Sequence, residues 1–155
     1  MRGFAKKSFE RGRFWRYAPL VFWIAVILIA SSNMGSMSNT SRVIRPILEF
    51  IFPNYDEAQL AEIHAFIRKT AHFTFYGILG WLAARAFGSS TKLLLQKNRI
   101  LFSLSLVITV AAIDETNQSF LPSRTGSVYD VLLDAAGGLT AIIFWLFLSN
   151  RGYQR

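Results

Sequence analysis

Long apolar runs with charged residues gathered between them limit what this chain can fold into. Hydrophobic residues make up 52% of the 155 positions, and most of them fall into four runs, at 17–31, 70–87, 100–113 and 128–149. A helix needs about 20 apolar residues to cross about 30 Å of hydrocarbon. We therefore predict an all-α polytopic membrane protein, a four-transmembrane-helix bundle with an extramembrane helical extension before the second span.

The third apolar run is too short to cross a bilayer by itself. At about 1.5 Å per residue, positions 100–113 cover only about 21 Å. The helix must therefore continue into the polar sequence "DETNQ", which extends the third span to 100–118. This extension places Asp114 and Glu115 near one end of a span, where charges are costly unless they find partners.

The positions of lysine and arginine predict the orientation of the bundle. Basic residues are concentrated in the tail 1–16, in the loop 88–99 and after the fourth span, whereas acids dilute them in 32–69 and 119–127 taken together. Cytoplasmic loops carry the excess of lysine and arginine, so both termini are predicted to be cytoplasmic. The first apolar run, with its basic flank and small residues Ala30 to Ser32, also fits a signal peptide loosely, and that alternative stays open.

Charge and cysteine content exclude several function classes. The net charge is +8, but membrane topology accounts for the basic residues, so we expect no nucleic-acid partner. The chain has no cysteine, which excludes disulfides and cysteine-based metal or thiol chemistry. No paired-histidine spacing indicates a metal site, and we expect neither a metal nor another cofactor.

The segment 32–69 has two parts with different patterns. "VIRPILEFIFPNY" is apolar, contains two prolines and is too short to cross, which favours an interfacial segment on the outer surface. Asn54 and Glu57 then have the spacing of a capping box. With no proline or glycine before Gly77, one helix is predicted from about Asp56 to Phe87, its first half outside the bilayer and His64 on its surface.

Polar residues of three helices are predicted to meet at the outer end of the bundle. Side chains four residues apart share a helix face. The glycines that follow Asp134 permit close helix approach. Charged groups inside a span rarely face lipid, so these faces should turn inward around one outward-facing pocket, with the loop arginine above it. The candidates are Arg68, Lys69, His72 and Tyr76; Asp114, Glu115 and Gln118; Arg124; and Asp130, Asp134, Gly137 and Gly138.

Three motifs in order, "KTAHFTFYGILG", "DETNQSFLPSRTGSVYD" and "DAAGG", resemble the VanZ-like membrane proteins over residues 63–147. Asp134 stands where that family more often has asparagine, which adds a possible negative charge. The resemblance implies a bacterial cytoplasmic membrane protein associated with low-level resistance to the glycopeptide teicoplanin, and it implies no established molecular activity.

Two functions fit these residues. In a binding module, Arg68, Lys69 and Arg124 would hold the phosphate of an anionic outer-leaflet lipid or cell-wall precursor, and the acids would bind amine or hydroxyl groups. In a membrane enzyme acting on a lipid-linked substrate, His72 would exchange protons, oriented by Asp114 or Asp130. A purely structural polar network also stays open. An ion path is disfavoured because the inner half lacks relay groups.

Overall fold

The computed structural model describes residues 2–32, 37–120 and 127–152, and these residues form six helices. In chain order they are α1 (Arg2–Ala30), α2 (Met37–Ile51), α3 (Glu57–Gly88), α4 (Leu93–Lys97), α5 (Arg99–Ser119) and α6 (Val128–Gly152). The predicted all-α class is confirmed. α1 includes most of the predicted basic tail together with the first apolar run, and α4 lies within the predicted loop 88–99.

α3 is one continuous helix, as the sequence predicted. Its capping box begins two residues later than predicted, however, at Asp56 instead of Asn54. The Asp56 carboxylate accepts from the Gln59 backbone N–H at 2.8 Å, and the Gln59 side chain accepts from the Asp56 N–H at 2.9 Å. Asp56 is therefore the cap rather than Asn54, because proximity to the first free N–H groups, and not the spacing to Glu57, decides which side chain caps.

α3 is the central helix, since it contacts every other described helix and packs most extensively against α6. α1 lies antiparallel to it. Tyr17 Oη donates to Ser90 Oγ at 3.0 Å near one end, and Trp23 Nε1 donates to the Phe75 carbonyl oxygen at 2.9 Å further along. These two bonds fix α1 lengthwise against α3.

Small residues allow α3 and α6 to approach closely. A Cβ placed on Gly80 would lie 2.8 Å from Gly138 Cα, and one placed on Gly137 would collide with the Phe73 carbonyl oxygen. No side chain fits at either position, so the helices touch through their backbones. The predicted role of Gly137 and Gly138 in close packing is confirmed, and Gly80 supplies the opposite half of the contact.

Two helices of the described chain, Arg99–Ser119 and Val128–Asn150, are long and apolar enough by length and composition to cross a membrane, and Phe14–Ala30 is a shorter apolar helix. α5 does continue through Gln118, as predicted from the shortness of its apolar run. His72, Tyr76 and Arg85 interrupt the apolar sequence of α3. The four-span count stays a prediction.

α2 is an amphipathic helix laid against the first half of α3. Leu48 is buried, whereas Val43, Ile47 and Phe50 are exposed. Arg45 pairs with Glu49 on its own helix and with Glu57 at the start of α3. The interfacial segment predicted around its prolines is thus helical, with Pro46 inside the helix.

Gly80→Ala should destabilise the protein, and Gly77→Ala should not. An alanine Cβ at residue 80 collides with the Gly138 backbone, whereas at residue 77 it would lie 3.6 Å from the Gly137 carbonyl oxygen, an ordinary contact. We expect Gly80→Ala to lose about 1–3 kcal/mol of stability, typical of overpacking. Thermal unfolding of both variants in detergent measures this. Equal stability of the two variants would contradict the close α3–α6 contact.

Candidate functional site

Four polar side chains from three helices meet at one end of the bundle: His72 and Tyr76 of α3, Asp114 of α5 and Asp134 of α6. We call them the polar cluster. Tyr76 Oη donates to Asp114 Oδ2 at 3.0 Å, and His72 Nδ1 lies 3.5 Å from Asp134 Oδ1. The His72 and Tyr76 rings stack with centroids 6.4 Å apart.

The local sequence explains this convergence. His72 and Tyr76 are four residues apart and therefore share one face of α3. Asp114 lies in the last two turns of α5, and Asp134 lies in the second turn of α6, so the connection between these helices brings both carboxylates to the same end. The backbone contact at Gly137, one turn after Asp134, then holds α6 against Phe73, the neighbour of His72.

Both carboxylates are buried and incompletely paired. Asp114 is 1% exposed and Asp134 is 0% exposed. Among the described residues, Asp114 Oδ1 and both oxygens of Asp134 have no hydrogen-bond partner. The 3.5 Å approach of His72 to Asp134 is too long for a good hydrogen bond. Buried carboxylate oxygens normally have partners, and orphaned ones call for an explanation.

A cavity of about 160 Å³ opens beside the polar cluster. α1, α2, α3 and α5 all contribute to its wall. Arg68, His72, Tyr76 and Asp114 supply most of the polar groups, and most of the remaining wall is apolar. Its lining is Ile27, Ala30, Ser31, Thr40, Arg68, Ala71, His72, Phe75, Tyr76 and Asp114. The cavity therefore combines a charged end with apolar walls, a common composition for ligand sites.

A second, shallow cleft lies between α3 and the first turns of α6. Arg68, Lys69, His72 and Asp130 line it together with Leu133. Arg68 is half-buried and lines both cavities, whereas Lys69 is exposed. Arg68 and His72 thus connect the cleft to the larger cavity, while Lys69 and Asp130 line the cleft and not that cavity.

Glu115 and Gln118 are buried, and each forms a hydrogen bond with a partner outside the polar cluster. Glu115 Oε2 accepts from the Ser127 backbone N–H at 2.9 Å, just before α6 begins. Gln118 Nε2 donates to Ser31 Oγ at 3.2 Å, which ties α5 to the end of α1. The first bond connects α5 to the start of α6, and the second connects α5 to the end of α1. Both hold in place the helices that carry the polar cluster. Arg124, the last predicted site residue, lies outside the described residues.

Sequence reasoning missed the contributions of α1 and α2. Ser31 and Thr40 line the cavity, yet neither belongs to a charged motif, and only tertiary packing brings them there. A serine at the end of a span and a polar face on a short helix were the available signals.

His64 was predicted to be a surface residue, and that prediction is wrong. The side chain is 4% exposed because α2 covers it. Its ring nitrogens lie 3.3 Å from Thr40 Oγ1 and 3.2 Å from Ser41 Oγ. Hydroxyl groups can donate to one nitrogen and accept from the other, so they suit a neutral imidazole. Burial first, and then the nearby Arg68 charge, lower the pKa of His64.

Two described helices of spanning length and composition, together with a buried polar cluster at one end of the bundle, are typical of a membrane protein. The sequence matches the VanZ/LLP1 family over residues 14–149, and the chain belongs to that family. VanZ is associated with teicoplanin resistance. The match takes in the second half of α1 and all of α2, as well as α3, α5 and nearly all of α6. No curated protein and no solved structure is significantly similar to the chain.

Acidification should destabilise the protein partly through His64. Because the folded pKa is lowered, the unfolded chain takes up this proton first as the pH falls below about 6.5. Stability contributed by the neutral ring is therefore complete above that pH and is lost below it. We expect the melting temperature to fall more between pH 7.5 and 5.5 in the wild type than in His64→Gln. An identical pH dependence in both proteins would contradict a buried neutral His64.

Proposed function

We propose that this protein is a four-span membrane protein whose outward-facing pocket binds an anionic outer-leaflet lipid or a lipid-linked cell-wall precursor, and that this binding affects teicoplanin sensitivity. The observation that carries the proposal is the half-buried Arg68 at the charged end of a cavity whose other walls are largely apolar. Such a cavity suits a molecule that has a phosphate at one end and hydrocarbon at the other.

The charges divide into two roles in this proposal. Arg68, Lys69 and Arg124 hold the phosphate, and guanidinium groups are suited to two-point contacts with its oxygens. Asp114, Asp130 and Asp134 bind amine or hydroxyl groups of the ligand and orient the bases, with Tyr76 holding Asp114 in place. Glu115 and Gln118 support the pocket through their bonds to Ser127 and Ser31.

The surface of α2 supports a position at the membrane interface. Its exposed face carries Val43, Ile47, Phe50 and Ile51, while Arg45, Glu49 and Glu57 form ion pairs at the junction with α3. An amphipathic helix of this kind lies at the boundary of headgroups and acyl chains. α3, with 32 residues, would measure about 48 Å, which exceeds the hydrocarbon thickness and leaves its first half beside α2.

A membrane enzyme acting on a lipid-linked envelope substrate is the second candidate, because one histidine lies close to two carboxylates. His72 would act as general acid or base, with Asp114 or Asp130 orienting it and Arg124 stabilising developing negative charge. Replacing a catalytic His72 by glutamine should lower the rate by about 10²–10⁴-fold. A binding module would tolerate the same change in part.

Single-cysteine labelling should place the 119–127 loop outside the cell. The native chain has no cysteine, so Ser123→Cys and Thr91→Cys each report one position without background. We expect a membrane-impermeant maleimide to label residue 123 in intact cells and residue 91 only after permeabilisation, following the lysine and arginine distribution. The reverse pattern would rule out an outward-facing pocket.

Arg68→Gln should weaken binding of an anionic phospholipid, and Arg85→Gln should not. Arg85 lies near the other end of α3 and is exposed, so it matches the charge change without touching the cavity. In nanodiscs or by native mass spectrometry with phosphatidylglycerol, we expect about tenfold weaker binding for Arg68→Gln, typical of a lost charge-assisted hydrogen bond.

Phosphatidylcholine of matched chain length serves as the second control for this experiment. Equal losses in the two arginine variants would contradict the proposed phosphate site. Equal binding of the two lipids, which both carry a phosphate, would contradict its preference for an anionic headgroup. With envelope lipid extract, a new mass that grows with time in the wild type and is absent in His72→Gln would favour the enzyme.

A further inference from the structure

The three groups best suited to ligate a metal converge inside the polar cluster. One ligand atom each from His72, Asp114 and Asp134 can be chosen so that all three lie within 4.8 Å of one another. They come from three different helices, which is why histidine spacing along the sequence gave no sign of a metal site. One nitrogen and two oxygen ligands form a donor set that zinc and manganese accept.

The orphaned oxygens are an independent observation at the same place. Asp114 and Asp134 are almost fully buried, and in the described part of the chain three of their four oxygens accept no hydrogen bond. The two buried carboxylates carry up to two negative charges, and the single imidazolium of His72 balances at most one of them. A buried negative charge without a partner is costly in free energy. A cation in the middle of the cluster would remove that cost.

From these two observations we propose that His72, Asp114 and Asp134 bind one divalent transition-metal ion, with zinc as the first candidate. Two ligand atoms at tetrahedral angles around zinc are about 3.4 Å apart. The ligand atoms here lie within 4.8 Å of one another, so movements of about 1 Å by the side chains would bring them to that distance. Tyr76 holds Asp114 Oδ2 and leaves Oδ1 for the metal, as a supporting hydrogen bond commonly does. His72 and Asp114 also line the cavity, so the open coordination position faces it.

The test measures metal directly and uses no lipid, so its failure is distinguishable from failure of the proposed lipid site. The full-length protein in detergent is stripped with EDTA, exchanged into metal-free buffer and titrated with Zn²⁺ or Mn²⁺. Metal per chain is measured by inductively coupled plasma mass spectrometry. We expect about one ion per wild-type chain and at least about tenfold weaker binding in His72→Gln, Asp114→Asn and Asp134→Asn.

Glu62→Gln is the control, because it also replaces a carboxylate by an amide, and Glu62 is an exposed residue of α3 outside the three-residue set. It should bind metal like the wild type. A wild type that binds no metal, or a Glu62→Gln variant that loses as much affinity as Asp134→Asn, would overturn the proposal.

Thermal unfolding provides a second readout that does not depend on measuring metal content. Without metal, Asp134→Asn should be more stable than the wild type, because it removes a buried charge; with Zn²⁺ the order should reverse. If the two carboxylates are instead neutralised by Arg124, the wild type will bind no metal and Arg124→Gln will be destabilised in metal-free buffer. That result would also overturn the metal site.

Discussion

Backbone contact between α3 and α6 determines where the polar side chains at one end of the bundle lie. Gly80 meets Gly138 and Gly137 meets Phe73 without any intervening side chain, so the two helices pack backbone against backbone. His72 adjoins Phe73, and Asp134 lies one turn before Gly137, so the same contact brings the imidazole within 3.5 Å of the carboxylate. A wider crossing would move the imidazole of His72 away from the buried Asp134 carboxylate. The glycines therefore act on the chemistry of the cluster as well as on helix packing.

Much of this arrangement could be predicted from the sequence, because membrane depth and helix phase are both one-dimensional properties. Placing Asp114 in the last turns of one helix and Asp134 near the start of the next requires only the lengths of the apolar runs. The four-residue spacing of His72 and Tyr76 requires only the helical period. Since the connection between α5 and α6 is short, their carboxylates had to meet at one end. The structure brings these four side chains together, as the helix lengths and the helical period predict.

What could not be predicted depends on contacts between segments distant in sequence. His64 was assigned to the surface because nothing in its own helix indicates a cover; α2 supplies one by placing Thr40 and Ser41 against the ring. Ser31 carries no charge and belongs to no spaced motif, yet it receives the amide of Gln118 across 87 positions of sequence. Helix geometry ranked Asp114 only weakly above Glu115, because the two are adjacent and differ by a single step around the helix. Their roles separate only when the Ser127 N–H is seen to engage Glu115.

Electrostatics connects the metal proposal to the lipid proposal and gives them an order. The cavity that would receive a phosphate is lined by Asp114 as well as by Arg68. A phosphate charge about 4 Å from an uncompensated carboxylate is repelled by about 4 kcal/mol at an effective dielectric constant of about 20, enough to offset the attraction of one arginine. A divalent ion between Asp114 and Asp134 cancels both carboxylates and leaves Arg68 to set the sign of the potential. In our proposal an ion that binds first therefore strengthens the binding of an anionic headgroup, whereas without an ion Asp114 and Asp134 are left to the amine or hydroxyl groups of the ligand.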